Sequence, residues 1–496
     1  MNIGSEMQEI SSNNKRIAKN TLLLYFRMLV TMAVSLYTSR VVLNILGVED
    51  FGIYNVVGGI VAMFGFINGS MTSATQRYLT FELGQNNRAQ LTKVFSTSLS
   101  IHGIISFLII VLAETVGLWF LWNKMQIPAD RMNAAFWVFQ CSVAASVIMI
   151  MSVPYNAAII AHERMSAFAY ISIIEVSLKL LIVCFLRYFH TDKLILYAAL
   201  IVIVQFLIRL CYSWYCNRHF NETKYRWSWD KGLFKEMTGF ASWNMFGSLA
   251  AITFTQGLNL LLNMFFGPVV NAARGIAVQA QTAIGQFSSN FQTALNPQIT
   301  KSYATGDMEY MHGLIFRSAK FSFFLLLLLS LPVLIETKAI LTLWLKIVPD
   351  HTVVFLRIML CTTWVYAVSN PLITAASATG KIKLYQSVVG GLLLLILPIS
   401  YLCLRFGLPA YSVFIVHFVM EITAQFARLL MLRRMIRLSL REYFAKVIWS
   451  ISKVTAIALA VPLAVAYWQP GEGIWNLLTI CLICAISTSM SVYWFG

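Results

Sequence analysis

Apolar residues fill this chain in blocks long enough to cross a bilayer, separated by short polar breaks. A helix needs about 20 mostly apolar residues to cross roughly 30 Å of hydrocarbon. Blocks of that kind fall near 21–46, 53–76, 94–120, 133–160, 168–187, 194–216, 239–265, 272–296, 314–335, 352–377, 384–404, 409–432, 447–468 and 474–494. They predict an all-α polytopic membrane protein with about fourteen transmembrane helices.

Several blocks carry a polar face. At 100° per residue, Asn20, Arg27, Thr31 and Thr38 of the first span fall within about 40° of one another. The seventh span has Asn244, Ser248 and Thr255, and the eighth has Arg274, Gln281, Gly285, Ser288, Gln292 and Asn296 on one stripe and Gln279, Gln286 and Asn290 on another. Lipid cannot satisfy such groups, so these faces point at protein or at water. Helix-to-helix bonding explains any single residue, and the stripes together predict a polar path.

The chain also repeats itself. Val111-Leu112-Ala113-Glu114-Thr115 returns as Val333-Leu334-Ile335-Glu336-Thr337, 336 − 114 = 222 positions later. At 371 − 154 = 217, Ser152, Pro154, Ala158, Ala161 and Arg164 return as Ser369, Pro371, Ala375, Ala378 and Lys381. At an offset of 220, Asn68, Ser70, Thr72 and Gln76 of the second span overlie Ser288, Asn290, Gln292 and Asn296. Long apolar halves with internal repetition are the mark of a secondary transporter. The boundaries read as a first six-span lobe over 1–216, a linker at 217–238, a second lobe over 239–437 and a two-span extension at 438–496. Six spans is an even number, so both lobes enter from one face, as expected for an axis along the membrane normal.

Composition agrees: 58% of residues are hydrophobic and 11% charged. Basic residues cluster in alternate loops, at Lys15, Arg16 and Lys19, at Arg77, Arg88 and Lys93, at Arg164, at Arg218 to Lys235, at Lys301 to Lys320, at Lys381 and Lys383, and from Arg428 to Lys446. That side is expected to be cytoplasmic, with both termini. The basic N-terminal stretch is too long and lacks a cleavage site, so no cleavable signal is expected. The formal net charge of +17 reflects this asymmetry and attraction to anionic lipid, and no nucleic-acid partner is expected. The eight cysteines lie inside spans and read as packing, Cys481 and Cys484 included.

Charges within spans are costly unless paired or hydrated. Arg27 and Arg274 lie about one turn from span ends, where snorkelling is the alternative to a binding role. Arg40, Arg209 and Arg357 lack a polar stripe. Glu175 and Lys179 stand one turn apart and can pair with each other; the same pair could be an ion switch. His417 and Glu421 are likewise i and i+4, and His102 reads as a satisfied helix contact. Pro154 and Pro371 are expected kinks at equivalent places. No phosphate loop, metal-ligand cluster or nucleophile elbow occurs, so the chain reads as a transporter without a cofactor and not an enzyme.

With fourteen spans in a six-plus-six-plus-two order, Asn44-Ile-Leu-Gly47-Val-Glu49-Asp50-Phe51-Gly52-Ile-Tyr54 after span one, and Asn271-Ala-Ala-Arg274-Gly275-Ile-Ala-Val-Gln279 opening span eight, the chain resembles bacterial polysaccharide flippases. These are the O-antigen and capsule exporters of the multidrug/oligosaccharidyl-lipid/polysaccharide (MOP) superfamily. The resemblance implies two pseudo-symmetric six-helix lobes as in multidrug (MATE) exporters. It also implies alternating access and transfer of undecaprenyl-diphosphate-linked oligosaccharide across the bacterial inner membrane, with a polysaccharide polymerase and chain-length machinery as further partners. A diphosphate wants guanidinium groups and its sugars want amides and hydroxyls. The expected substrate residues are therefore Arg27, Thr31, Asn68, Thr72, Asn244, Arg274, Gln281, Ser288, Gln292 and Asn296, with Glu175 and Lys179 as candidates for coupling to H+ or Na+. A cation or drug antiporter, a peptidoglycan-precursor (lipid II) flippase and a membrane-embedded sugar transferase remain alternatives.

Overall fold

A computed structural model describes residues 3–62, 65–123, 125, 127–189, 191–224, 230–345, 348–468 and 473–496. The chain forms α1 (Ile3–Ala62), α2 (Gly65–Gly84), α3 (Arg88–Leu112), α4 (Leu118–Asn123), α5 (Met132–Ala161), α6 (Met165–Leu186), α7 (Lys193–His219) and α8 (Lys231–Thr305). It continues through α9 (Met308–Ile335), α10 (Thr337–Leu345), α11 (Thr352–Ala378), α12 (Lys383–Arg405), α13 (Ser412–Met435), α14 (Leu440–Tyr443), α15 (Trp449–Trp468) and α16 (Ile474–Phe495). The described residues contain no strand. Twelve of the described helical segments are long and apolar enough to cross a membrane. The second and eighth expected spans are helical too, in α1 beyond Gly47 with α2 and in α8 beyond Gly267; their amides, hydroxyls and arginines make them the more polar members.

Two compact units divide the chain, Met1–Met245 and Phe246–Gly496, and the division falls within α8. Each unit opens on a long helix broken at one glycine. Gly47 (φ 81°, ψ 170°) interrupts α1, and Gly267 (φ 77°, ψ −172°) interrupts α8. The two lie 267 − 47 = 220 positions apart, the offset that superposes the polar second and eighth spans. This backbone region is open essentially to glycine alone, because a Cβ would meet its own peptide groups. The break lets the chain turn from one span into the next within a single residue.

The other repeats carry equivalent local structure. Thr115 donates to the Val111 carbonyl at 2.7 Å, and Thr337 donates to that of Val333 at 2.6 Å. Past this point the units differ: Ala113–Gly117 forms a π turn, whereas α9 stops at Glu336. Arg357 binds the end of α9, donating to the Ile335 carbonyl at 3.1 Å and to the Thr337 hydroxyl at 2.9 Å. It is a helix-terminal cap, satisfying carbonyls the helix leaves open. After the proline helices, Gly380 (φ 75°) has Glu163 (φ 58°) as its counterpart, 380 − 163 = 217 positions earlier. A side chain tolerates this left-handed turn because α1 holds it: Arg16 pairs with the buried Glu163 carboxylate at 3.0 Å, and Asn20 donates to its carbonyl at 3.2 Å. The preceding residue, His162, stacks on Phe220 and hydrogen-bonds Glu222. Burial alone would raise the Glu222 carboxyl, but the His162 bond holds it below the usual carboxylate range.

At the opposite end of the first unit, Arg131 forks onto Asp50 at 2.9 and 2.6 Å and reaches Asp192 at 2.7 Å. This ties the segment beyond the Gly47 break to α5 and to the start of α7, in the bidentate geometry that makes arginine–carboxylate pairs strong. The core of this unit holds Ile53, Val57, Leu121, Val138, Phe139 and Leu194; that of the second holds Leu258, Leu262, Phe355, Leu356, Leu360 and Val413. Leu22, Phe107, Tyr188, Leu260, Met264 and many other large apolar side chains face outward, which suits hydrocarbon as the surrounding solvent. In the second unit α15 and α16 pack on each other and against α9.

Replacing Gly267 by Ala places a side chain in the glycine-only region and should cost on the order of 1–3 kcal/mol. Gly275→Ala is the control, since Gly275 has ordinary helical backbone and open space around its Cα. Thermal unfolding in detergent should show a lower transition for Gly267→Ala and an unchanged or raised one for Gly275→Ala. Equal transitions would show that the break does not need glycine.

Candidate functional site

Each unit contains a helix with an internal proline at an equivalent place, α5 at Pro154 and α11 at Pro371. Proline has no N–H and its ring pushes away the carbonyl one turn back, so backbone oxygen near the proline is open to other donors. In both units an arginine from the sixth span comes to this place. Arg209 of α7 donates to the Met151 carbonyl and lies over the Tyr155 ring at 4.6 Å. Arg428 of α13 donates to the Ser369 hydroxyl at 3.0 Å, two residues before Pro371. The two arginines are 428 − 209 = 219 positions apart.

The second unit adds an acid. Glu421 accepts from Arg428 at 2.7 Å, with the two side chains 5% and 3% exposed. Ser369 passes its own hydrogen to Gln425 at 2.7 Å, and Gln425 donates to Tyr443 at 3.3 Å. Glu421, Gln425 and Arg428 stand at i, i+4 and i+7, one face of α13, so the helix itself assembles the network. His417, one turn before Glu421, packs its ring against Phe254 of α8 with centroids 4.9 Å apart. Sequence reasoning put Arg428 at the head of a basic cytoplasmic loop. The structure corrects this: it lies inside α13 as the buried partner of Glu421, and the i, i+7 spacing was the available signal.

His417, Glu421 and Arg428 form one wall of a cavity of about 410 Å³ within the second unit. α8 contributes Gln281, Gln286, Ser288 and Ser289, and α11 contributes Thr362, Thr363, Tyr366 and Asn370. Phe254, Leu326 and Leu393 supply apolar surface. Such a volume, mostly apolar with convergent polar groups, is the usual form of a small-ligand site. Glu421 is the one carboxylate among its lining residues, and it is already bonded to Arg428.

The expected substrate residues fall into distinct settings. Gln281 and Ser288 line this cavity, and the Gln281 amide donates to Thr363 at 2.8 Å and to the Met359 carbonyl at 3.2 Å. Gln292 is 1% exposed, bonded to Ser318 and Ser322 of α9, and Asn296 accepts from Thr374 of α11 at 2.9 Å. Arg274, just past the Gly267 break, turns back along α8 and donates to the Thr255 carbonyl at 2.8 Å and to Asn259 at 3.2 Å. Its buried Nε has no hydrogen-bond partner among the described residues.

In the first unit Arg27 lies over the Phe168 ring at 4.4 Å, a cation–π contact that holds its charge against α6. Thr31 donates to the Met28 carbonyl of its own helix at 3.0 Å. Thr72 is half-buried on α2 and Asn244 is buried on α8. The side chain of Asn68 lies outside the described residues. Lys179 donates to Glu175 at 2.6 Å, and Gln205 of α7 adds a second bond to the same oxygen at 3.1 Å.

A family model described as polysaccharide biosynthesis protein matches residues 17–303. No curated protein sequence gives a significant match. Among solved structures, the chain is similar to an outward-facing multidrug resistance MATE family transporter of the MOP superfamily, with a TM-score of 0.73 and 13% identity over 86% of this chain and 96% of that one. A MATE structure in the bent conformation gives 0.75 and 12% over 90% and 97%. A MOP superfamily transporter from Pyrococcus furiosus, described as having a binding pocket of reverse polarity that suggests a different function, gives 0.69 and 14% over 86% and 96%.

Breaking the buried pair from one side should be costly. Arg428→Met leaves Glu421 uncompensated and should destabilise by roughly 3–5 kcal/mol, whereas the double Glu421→Met, Arg428→Met variant should recover much of that loss. Thermal unfolding of the single and double variants reads the coupling directly; additive losses would mean that the two charges do not depend on each other.

Proposed function

Because this chain belongs to the polysaccharide biosynthesis protein family and has the fold of MOP-superfamily transporters, we propose that it translocates a lipid-linked oligosaccharide, an O-antigen, capsule or exopolysaccharide repeat unit on undecaprenyl diphosphate. Transfer runs from the inner to the outer leaflet of the bacterial cytoplasmic membrane by alternating access, with both termini cytoplasmic. The observation that carries this reading is the set of amides and hydroxyls, from Gln281, Gln286, Ser288, Thr362 and Asn370, that converges in the otherwise apolar second-unit cavity. Sugar hydroxyls are both donors and acceptors and need such partners. The same lining weakens the cation or drug antiporter reading, since its carboxylate is neutralised by Arg428.

Arg274 is the proposed diphosphate ligand: its two terminal nitrogens are anchored on α8, which fixes the guanidinium. Arg27 offers a second guanidinium in the first unit. Gln281 and Ser288 are proposed sugar contacts. Coupling to an H+ or Na+ gradient is proposed at Glu175, whose pairing with Lys179 depends on its ionisation. A polymerase and chain-length machinery are the proposed consumers of the product.

The test is binding of a lipid-diphosphate oligosaccharide to the purified protein. A charge-assisted hydrogen bond contributes about 1.5–3 kcal/mol, so Arg274→Ala should weaken binding by roughly one to two orders of magnitude. Arg274→Lys should lie between, and Gln281→Leu should weaken a full glycan more than a monosaccharide. Wild-type affinity in Arg274→Ala would remove the clamp. Tight binding of cationic dyes in place of the lipid-linked sugar would favour the antiporter.

A further inference from the structure

The ends of α12 and α13 that carry the basic residues border a groove of about 820 Å³. Its lining includes Lys381, Leu384, Tyr385, Leu430, Arg433 and Arg434. The three cations are exposed, and none has an acidic partner among the described residues. Both walls repeat one vertical order. On α13, Leu430 stands one turn inward of Arg433 and Arg434, on the same face. At the start of α12, Leu384 stands about one turn inward of Lys381. Leu384 and Leu430 are 68% and 58% exposed, and Tyr385 lies buried between the walls.

We propose that this groove is a binding site for an anionic phospholipid, with its phosphate among Lys381, Arg433 and Arg434 and its acyl chain along Leu384 and Leu430. On the orientation proposed above, the lipid belongs to the cytoplasmic leaflet. Charge complementarity sets the headgroup: three uncompensated cations converge on one concavity, where a basic pocket between membrane helices favours phosphate. The inward leucines set the rest of the ligand, since a free anion would gain nothing from apolar surface one helical turn, about 5 Å, below its charge. The groove shares no lining residue with the cavity assigned to the sugar, and the proposal does not depend on what the chain transports.

Titration of the purified full chain with dioleoyl phosphatidylglycerol, read by native mass spectrometry and by thermal unfolding, tests the assignment. Phosphatidylcholine, undecaprenyl phosphate and inorganic phosphate run in parallel. Each basic residue near a membrane surface contributes about fivefold, so the triple variant Lys381→Gln, Arg433→Gln, Arg434→Gln should lose on the order of a hundredfold in affinity. The variant Lys93→Gln, Lys231→Gln, Lys235→Gln removes as many exposed charges elsewhere and should keep wild-type affinity. The charge-conserving variant Lys381→Arg, Arg433→Lys, Arg434→Lys should keep it as well, which separates loss of the site from loss of the fold. Equal losses in both neutralised variants would reduce the effect to general surface charge and overturn the proposal. So would inorganic phosphate competing at the concentration of the lipid, or undecaprenyl phosphate binding in preference to phosphatidylglycerol.

Discussion

Hydrocarbon offers no hydrogen-bond partner, so every polar group in a membrane helix has to find one within the protein or in water that the protein admits. That constraint organises this chain. Threonines take the nearest solution and donate to their own helix, as Thr38 does to Val34, Thr255 to Ala251 and Thr337 to Val333. Gln292 and Asn296 reach neighbouring helices. Arginines reach groups beside prolines, at helix ends or along their own chain: Arg209 and Arg428 bind near Pro154 and Pro371, Arg357 binds the end of α9, and Arg274 binds the Thr255 carbonyl. Gln281, Thr363, Glu421 and Arg428 find partners of this kind and still line the cavity of the second unit.

The duplication makes these solutions comparable. The glycine breaks, the proline of the fourth span and its arginine from the sixth recur in both units at offsets of similar size, so they belong to the shared architecture. Departures from symmetry are more telling about function. Arg428 has Glu421, whereas no acid pairs with Arg209 among the described residues; the Glu175–Lys179 pair sits in the first unit alone.

Much of the fold was legible because membrane spans are long and their pattern is strong. The repeat, the equivalent prolines Pro154 and Pro371 and the polar eighth span can all be read directly from residue order. The site was less legible, since a helical stripe says which residues share a face and not what that face meets. Gln281 and Gln292 lie on the same stripe, yet the first borders a cavity and the second is sealed against Ser318 and Ser322, because different neighbours cover different depths of one helix. Arg428 was hidden for another reason: a cation near a span end beside a basic loop has the same appearance as one of the residues that set topology. Gly47 and Gly267 show the converse, since only the backbone reveals that each holds a positive φ that other residues rarely adopt.

The most direct measurement is translocation itself. The purified protein would be placed in liposomes holding a fluorescent undecaprenyl-diphosphate oligosaccharide in one leaflet, and its arrival in the other would be followed by quenching. Transfer should depend on the protein and on the diphosphate-linked sugar. Liposomes that move cationic dyes while the lipid-linked sugar stays in its leaflet would contradict the proposed transport.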